Sequence, residues 1–111
     1  MKKIVIRKTK ELQIWRRNLK NNINFIPTMG NLHDGHQKLI STAKNSNNNT
    51  NLVSIFVNPL QFESKEDLKN YPKTFDKDIE IAFSSGADSI FIPDTLEIYP
   101  PNNKRIYYLK V

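Results

Sequence analysis

The sequence predicts an α/β fold in which a parallel sheet lies between layers of helix. Three observations predict it. Strand-like and helix-like stretches alternate along all 111 residues, the pattern that successive βαβ units leave in a chain. Leu52-Val53-Ser54-Ile55-Phe56-Val57 is an almost unbroken apolar run, as expected of a strand covered on both faces. Between residues 25 and 36 a strand-like segment passes through a turn marked by Gly30 and Gly35 into a helix-like segment, and this turn carries His33 and His36, the only two histidines.

The elements follow in order. Lys3 to Ile6 is short and β-branched, a first strand. Glu11 to Lys20 places Leu12, Trp15 and Leu19 at helical spacing, with Thr9 as its expected N-cap and Asn21-Asn22 as its end. Ile23 to Pro27 is a buried strand that Pro27 should close, because proline has no donor N–H. Met29 to His36 is a loop, and Gln37 to Lys44 a helix turning Leu39, Ile40 and Ala43 inward. The polar run Asn45 to Asn51 is a surface loop. After the strand at 52–57, Asn58-Pro59 breaks the chain and Leu60 to Tyr71 is charged and partly helical. Lys73 to Ser85 is an amphipathic helix with Phe75, Ile79 and Phe83 on one stripe and Gly86 as its cap. Asp88 to Pro93 is another strand, and Ile106 to Leu109 a last one.

Size and composition set limits. The chain is long enough for one small domain, residues 1–111, burying somewhat under ~70% of its unfolded surface. No cysteine is present, which excludes disulfides and thiolate metal sites. No apolar run approaches the ~20 residues of a membrane span. The basic start at Met1-Lys2-Lys3 returns to charge too soon for a signal peptide, so a cytoplasmic protein without membrane partners is expected. The formal net charge is +6, but the lysines are scattered, so a nucleic-acid face is not expected.

In parallel sheets ligands bind beyond the carboxyl ends of the strands. Met29–His36, Asn58–Gln61 and Pro93–Asp94 all follow strands and should face one cleft. Gly30 and Gly35 permit close approach of backbone, and the N-terminus of the helix that follows attracts anions through its unpaired N–H groups. Two imidazoles there suit a nucleotide triphosphate, whose charge would push them toward the protonated form. A zinc site needs three or four ligands, and with no third histidine and no cysteine none is expected. Gln61, just past a strand end, offers an amide to a small polar acid.

The turn after Gly30 resembles the His-x-Gly-His signature of the nucleotidyltransferase superfamily. The longer string from Pro27-Thr28-Met29-Gly30 to Leu39-Ile40 is similar to the pantothenate synthetase family. Ser54-Ile55-Phe56-Val57-Asn58-Pro59-Leu60-Gln61-Phe62 resembles a second hallmark of that family. Tyr71-Pro72-Lys73-Thr74 resembles a third, with Lys73 in place of arginine, and Ala87 to Pro93 and Glu97 to Pro100 are also similar. The resemblance implies a Rossmann-like parallel sheet with flanking helices, truncated before the family's C-terminal lid domain.

It also implies the chemistry. Pantoate would attack the α-phosphate of ATP to give pantoyl adenylate, and β-alanine would then displace AMP, with Mg2+ accompanying the ATP. His36 is implied as the general acid. Met29, Gly30, Asn31, Leu32, His33, Asp34, Gly35 and His36 are implied as ATP-binding, and Gln61 as the binder of pantoate near β-alanine. Pro27, Thr28, Asn58 and Tyr71 are candidate pocket residues. The family's Gly-Glu-Lys-Asp and Ser-Ser-Arg segments do not occur in these 111 residues. They supply cations to the transition state, so little turnover is expected from this chain alone. A separately encoded second half would supply them, and a nucleotide-binding fragment without ligase activity is the alternative. A homodimer is implied as well, and the apolar run Tyr107-Tyr108-Leu109, left uncovered, would favour association.

Overall fold

The computed structural model describes residues 3–100. Four parallel strands form one sheet in the order β1-β4-β3-β2. They are β1 (Ile4–Ile6), β2 (Ile23–Thr28), β3 (Thr50–Ile55) and β4 (Ser89–Phe91). Helices α1 (Thr9–Arg17), α2 (Asp34–Ser46), α3 (Lys65–Asn70), α4 (Phe75–Ser85) and α5 (Thr95–Ile98) connect and flank them, with a short 3-10 turn at Pro59–Gln61. The α/β fold with a parallel sheet is therefore as the sequence predicts. The expected strand at Ile106–Leu109, and the apolar tail, lie outside the described residues.

Alternation along β3 divides the core into two layers. Val53 and Ile55 point to one face and join Ile26, Leu32, Ile40, Ala82 and Ile90 beneath α2 and α4. Leu52 points to the other and meets Ile6 and Phe91, with Leu12 and Trp15 of α1 and Ile98 of α5 packed on them. Ile40, Val53, Ile55 and Ile90 are wholly buried. Each is worth about 1.5–3 kcal/mol of transfer free energy.

Several boundaries differ from the sequence reading for physical reasons. Thr9 is the first residue of α1 rather than its cap: its N–H and hydroxyl both donate to Glu97 Oε1, at 2.7 and 2.8 Å, and tie α1 to α5. The pair of bonds holds the Glu97 carboxyl below its ordinary range. Helix α1 ends at Arg17, short of Leu19. Pro27 does not close β2, which runs on to Thr28. Among the described residues β2 is an edge strand, where a missing N–H costs nothing if it faces away from the partner. Thr28 is held by its own hydroxyl, which donates to the Ser54 carbonyl at 2.9 Å.

Strand β3 begins at Thr50, inside the polar run expected to be loop, and ends at Ile55. Asn51 can be buried there because its amide is satisfied: Nδ2 donates to the Gly86 carbonyl and Oδ1 accepts from Asn24 Nδ2. The Asn51 N–H donates to Asp88, whose carboxylate also meets Lys44 at 3.2 Å. Leu39, expected to face inward, is exposed, while Ile40 fills the core. Gly86 ends α4 at a φ of 126°, as a cap requires.

Candidate active site

The carboxyl ends of β2 and β3 open into a cavity of about 700 Å³. Pro27, Thr28, Met29, Gly30, Asn31, His33 and His36 line it from the β2 side, and Ser54, Phe56, Asn58, Gln61 and Tyr71 from the β3 side. The sequence motifs on the two strands thus converge, since β2 and β3 are paired with Thr28 beside Ile55. A cavity of this size suits a small organic ligand.

Two devices build its polar wall. The first is the start of α2. His33 is the N-cap, with extended backbone, and its Nδ1 accepts from the Gly35 N–H at 3.0 Å. His36, in the first turn, returns the contact: its Nδ1 accepts from the His33 N–H at 3.1 Å. The two imidazoles thus perform the reciprocal capping usually done by a hydroxyl and a carboxylate. Their rings lie 4.2 Å apart between centroids. A ring nitrogen that accepts from an N–H carries no proton. Both rings therefore hold Nδ1 bare, and in the neutral state each carries its proton on Nε2, as a donor.

His36 is pushed below the ordinary histidine value, chiefly by partial burial, then by the neighbouring His33, with Asp78 opposing. It is neutral in the free protein at neutral pH, and the push toward the protonated form expected from the sequence applies once phosphates lie beside it. A histidine shifted this way contributes stability above the unfolded value near ~6.5, lost as pH falls through the lowered folded value.

The second device is a left-handed turn. Gly30 has a φ of 83° and Asn31 of 53°. A Cβ at Gly30 would stand 3.0 Å from Asp78 Oδ2 and 3.2 Å from Ile55 Cγ2, so glycine is needed for space as well as for backbone. Asp78, on α4 and only 1% exposed, fastens the turn. Its Oδ2 accepts from the Asn31 N–H and the Thr74 hydroxyl, and its Oδ1 from the Leu32 N–H. The two backbone bonds are 2.9 Å long.

Ten of the thirteen residues expected at the site line the cavity, and Leu32, Asp34 and Gly35 do not. Leu32 belongs to the core, and its N–H is taken by Asp78. Gly35 gives its N–H to His33, and a Cβ there would stand 2.9 Å from the His33 ring. Asp34 is the exposed first residue of α2. Pro93 and Asp94 do not join this cleft either. They line a separate cavity of about 270 Å³ with Lys73 and Thr95, and Phe56 lines both cavities. The sequence reading missed Ser54 and Phe56 as lining residues, although the alternation of β3, carried one residue past its end, puts them on one side. It also missed Asp78, whose signal was an acid on the apolar stripe of α4, four residues after Thr74. Among the described residues no cluster of three or more His, Asp or Glu side chains could hold a metal ion. No helix among them is long and apolar enough to cross a membrane.

Comparison with known proteins gives the site a context. The family model described as pantoate-beta-alanine ligase matches residues 4–111. The bifunctional pantoate ligase/cytidylate kinase of Prochlorococcus marinus subsp. pastoris is 77% identical over 110 residues, which are 99% of this chain and 22% of that protein. The pantothenate synthetase of Alteromonas mediterranea is 54% identical over 86 residues, 78% of this chain and 30% of that one. Among solved structures, the pantoate-beta-alanine ligase of Francisella tularensis, crystallised with beta-gamma ATP and beta-alanine, superposes with a TM-score of 0.83 at 41% identity. The match covers 90% of this chain and 39% of that one. Pantothenate synthetase from Thermus thermophilus gives 0.78 at 36% identity, over 92% and 35%. The chain thus spans about a fifth of the length of the Prochlorococcus relative. Its four-stranded sheet is the Rossmann-like domain of these enzymes, and the chain belongs to the pantoate–beta-alanine ligase family.

Proposed function

We propose that this chain forms the nucleotide-binding part of an enzyme that joins pantoate to β-alanine at the expense of ATP. The observation that carries this reading is the convergence of two imidazole donors, the N-terminus of α2, Asn58 and Gln61 on one cavity in a chain of this family. The Francisella relative was crystallised with beta-gamma ATP and beta-alanine, the ligand classes this cavity would take.

The residues suggest a division of labour. Triphosphate would lie across the Met29–His36 segment, where the positive end of the α2 dipole and two Nε2–H donors would meet developing negative charge. In the first step a pantoate carboxylate oxygen attacks the α-phosphorus, the bond to the bridging oxygen breaks, and pyrophosphate leaves. His33 and His36 would hold the charge on the leaving oxygens, and His36 is the candidate proton donor. Its lowered affinity for a proton would rise once phosphates lie beside it. In the second step the β-alanine amine attacks the acyl carbon of the adenylate, and AMP leaves. The Gln61 amide would bind pantoate, with Tyr71, Thr28 and Pro27 as walls of its pocket. Mg2+ would enter with the nucleotide substrate and would neutralise part of its phosphate charge.

The same reading includes a homodimer. The exposed Phe25 on β2 and Leu39 on α2 supply apolar surface that such a contact would use. The binding assignment is tested by calorimetric titration with ATP in the presence of Mg2+. The unsubstituted chain should bind, and His36→Ala should bind about tenfold more weakly, because a hydrogen bond to a charged group is worth ~1.5–3 kcal/mol. Equal affinity for the two proteins would remove His36 from the phosphate site.

A further inference from the structure

Asn58 lines the cavity, yet its side-chain oxygen is already fully engaged by the protein. The Leu60 N–H donates to Asn58 Oδ1 at 3.0 Å. Because a backbone N–H can only donate, this bond identifies the atom as the oxygen and not the amide nitrogen. The Tyr99 hydroxyl lies 3.1 Å from the same atom and so must donate to it. An amide oxygen has two lone pairs, and both are now used.

Tyr99 itself does not line the cavity. It reaches Asn58 from behind, across 41 residues of sequence, with its ring tilted against that of Phe56 at 6.1 Å. The half-buried phenol is therefore anchored at both its ring and its oxygen.

We propose that Tyr99 is a positioning residue that sets the polarity of the cavity. With the Tyr99 and Leu60 donors on Oδ1, Asn58 presents its Nδ2 hydrogens to a ligand and cannot turn over to present an acceptor. The ligand group met there is an oxygen acceptor, such as a carboxylate or a phosphate oxygen, and groups that can only donate are rejected. The inference deepens the reading of this cavity as the pantoate and ATP site, on which it rests.

The test is a double-mutant cycle of Tyr99→Phe and Asn58→Ala, followed by calorimetric titration with pantoate and, separately, with ATP. Tyr99→Phe removes one oxygen atom and keeps the ring against Phe56, so melting temperature should change little. In the otherwise unsubstituted chain it should weaken binding of one of the two ligands about threefold to tenfold, the scale of one hydrogen bond. In the Asn58→Ala background it should change nothing, because its only route to the ligand is gone. Coupling seen with pantoate assigns the acceptor as the carboxylate, and coupling seen with ATP assigns it as a phosphate oxygen. Equal losses in both backgrounds would make Tyr99 a packing residue, and no loss in either would also overturn the proposal. If neither ligand binds the unsubstituted chain, the reading of the cavity fails first, and this inference with it.

Discussion

Asp78→Ala is expected to destabilise the chain by about 3 kcal/mol, and to loosen the cavity-lining turn at Gly30 and Asn31 at the same time. Asp78 is buried and accepts from two backbone N–H groups and the Thr74 hydroxyl. Alanine would leave the Asn31 and Leu32 donors without partners, and each such donor costs ~1–3 kcal/mol when buried. In a domain of this size that corresponds to a melting temperature lower by about 15 °C. Thermal denaturation followed by circular dichroism reads it. A shift of only a degree or two would mean that the turn at Gly30 and Asn31 holds itself, and that Asp78 is not its fastening.

Gly30→Val should be comparably damaging for a different reason. A φ of 83° puts an L side chain in the left-handed region, at a cost of ~1–2 kcal/mol, and β-branching makes it worse. The new Cβ would also stand 3.0 Å from Asp78 Oδ2 and 3.2 Å from Ile55 Cγ2, both buried. Overpacking of that kind adds ~1–3 kcal/mol. The sum is about 3 kcal/mol, and urea denaturation measures it. Near-normal stability would show that the turn can adopt another backbone conformation and that the polar wall of the cavity is not rigid there.

The sequence made the sheet readable because the run from Leu52 through Val57 is almost unbroken apolar and the turns carry glycine and proline. It also made most of the cavity readable, because ligands gather where parallel strands end. What it hid was cooperation between distant polar groups. Asn51 looks like loop until Asn24 and Gly86 satisfy its amide. Thr9 looks like a cap until Glu97, at the far end of the chain, takes both its donors. Pro27 looks like a terminator until β2 proves to lie at an edge. Asp78 and Tyr99 escaped for the same reason. Each acts through a hydrogen bond to a residue more than forty positions away, and no local pattern encodes that. The separation of Asp34 and Gly35 from the cavity follows from helix α2 starting at Asp34, three residues earlier than its apolar spacing suggests, and Leu32 is drawn away into the core.

The proposed site rests on two imidazoles whose Nδ1 atoms accept from backbone N–H groups, which leaves Nε2–H of each ring as its donor toward a phosphate. Long-range nitrogen–proton NMR of the histidine rings tests this directly. In the free protein, the neutral rings of His33 and His36 should both show a bare Nδ1 and a protonated Nε2. His36 should stay neutral below the pH at which an unperturbed histidine is half protonated. Addition of ATP with Mg2+ should move both Nε2 signals and raise the pH at which His36 takes up its second proton. Protons on Nδ1, or Nε2 signals that ATP leaves unmoved, would contradict the capping arrangement and the binding site built upon it.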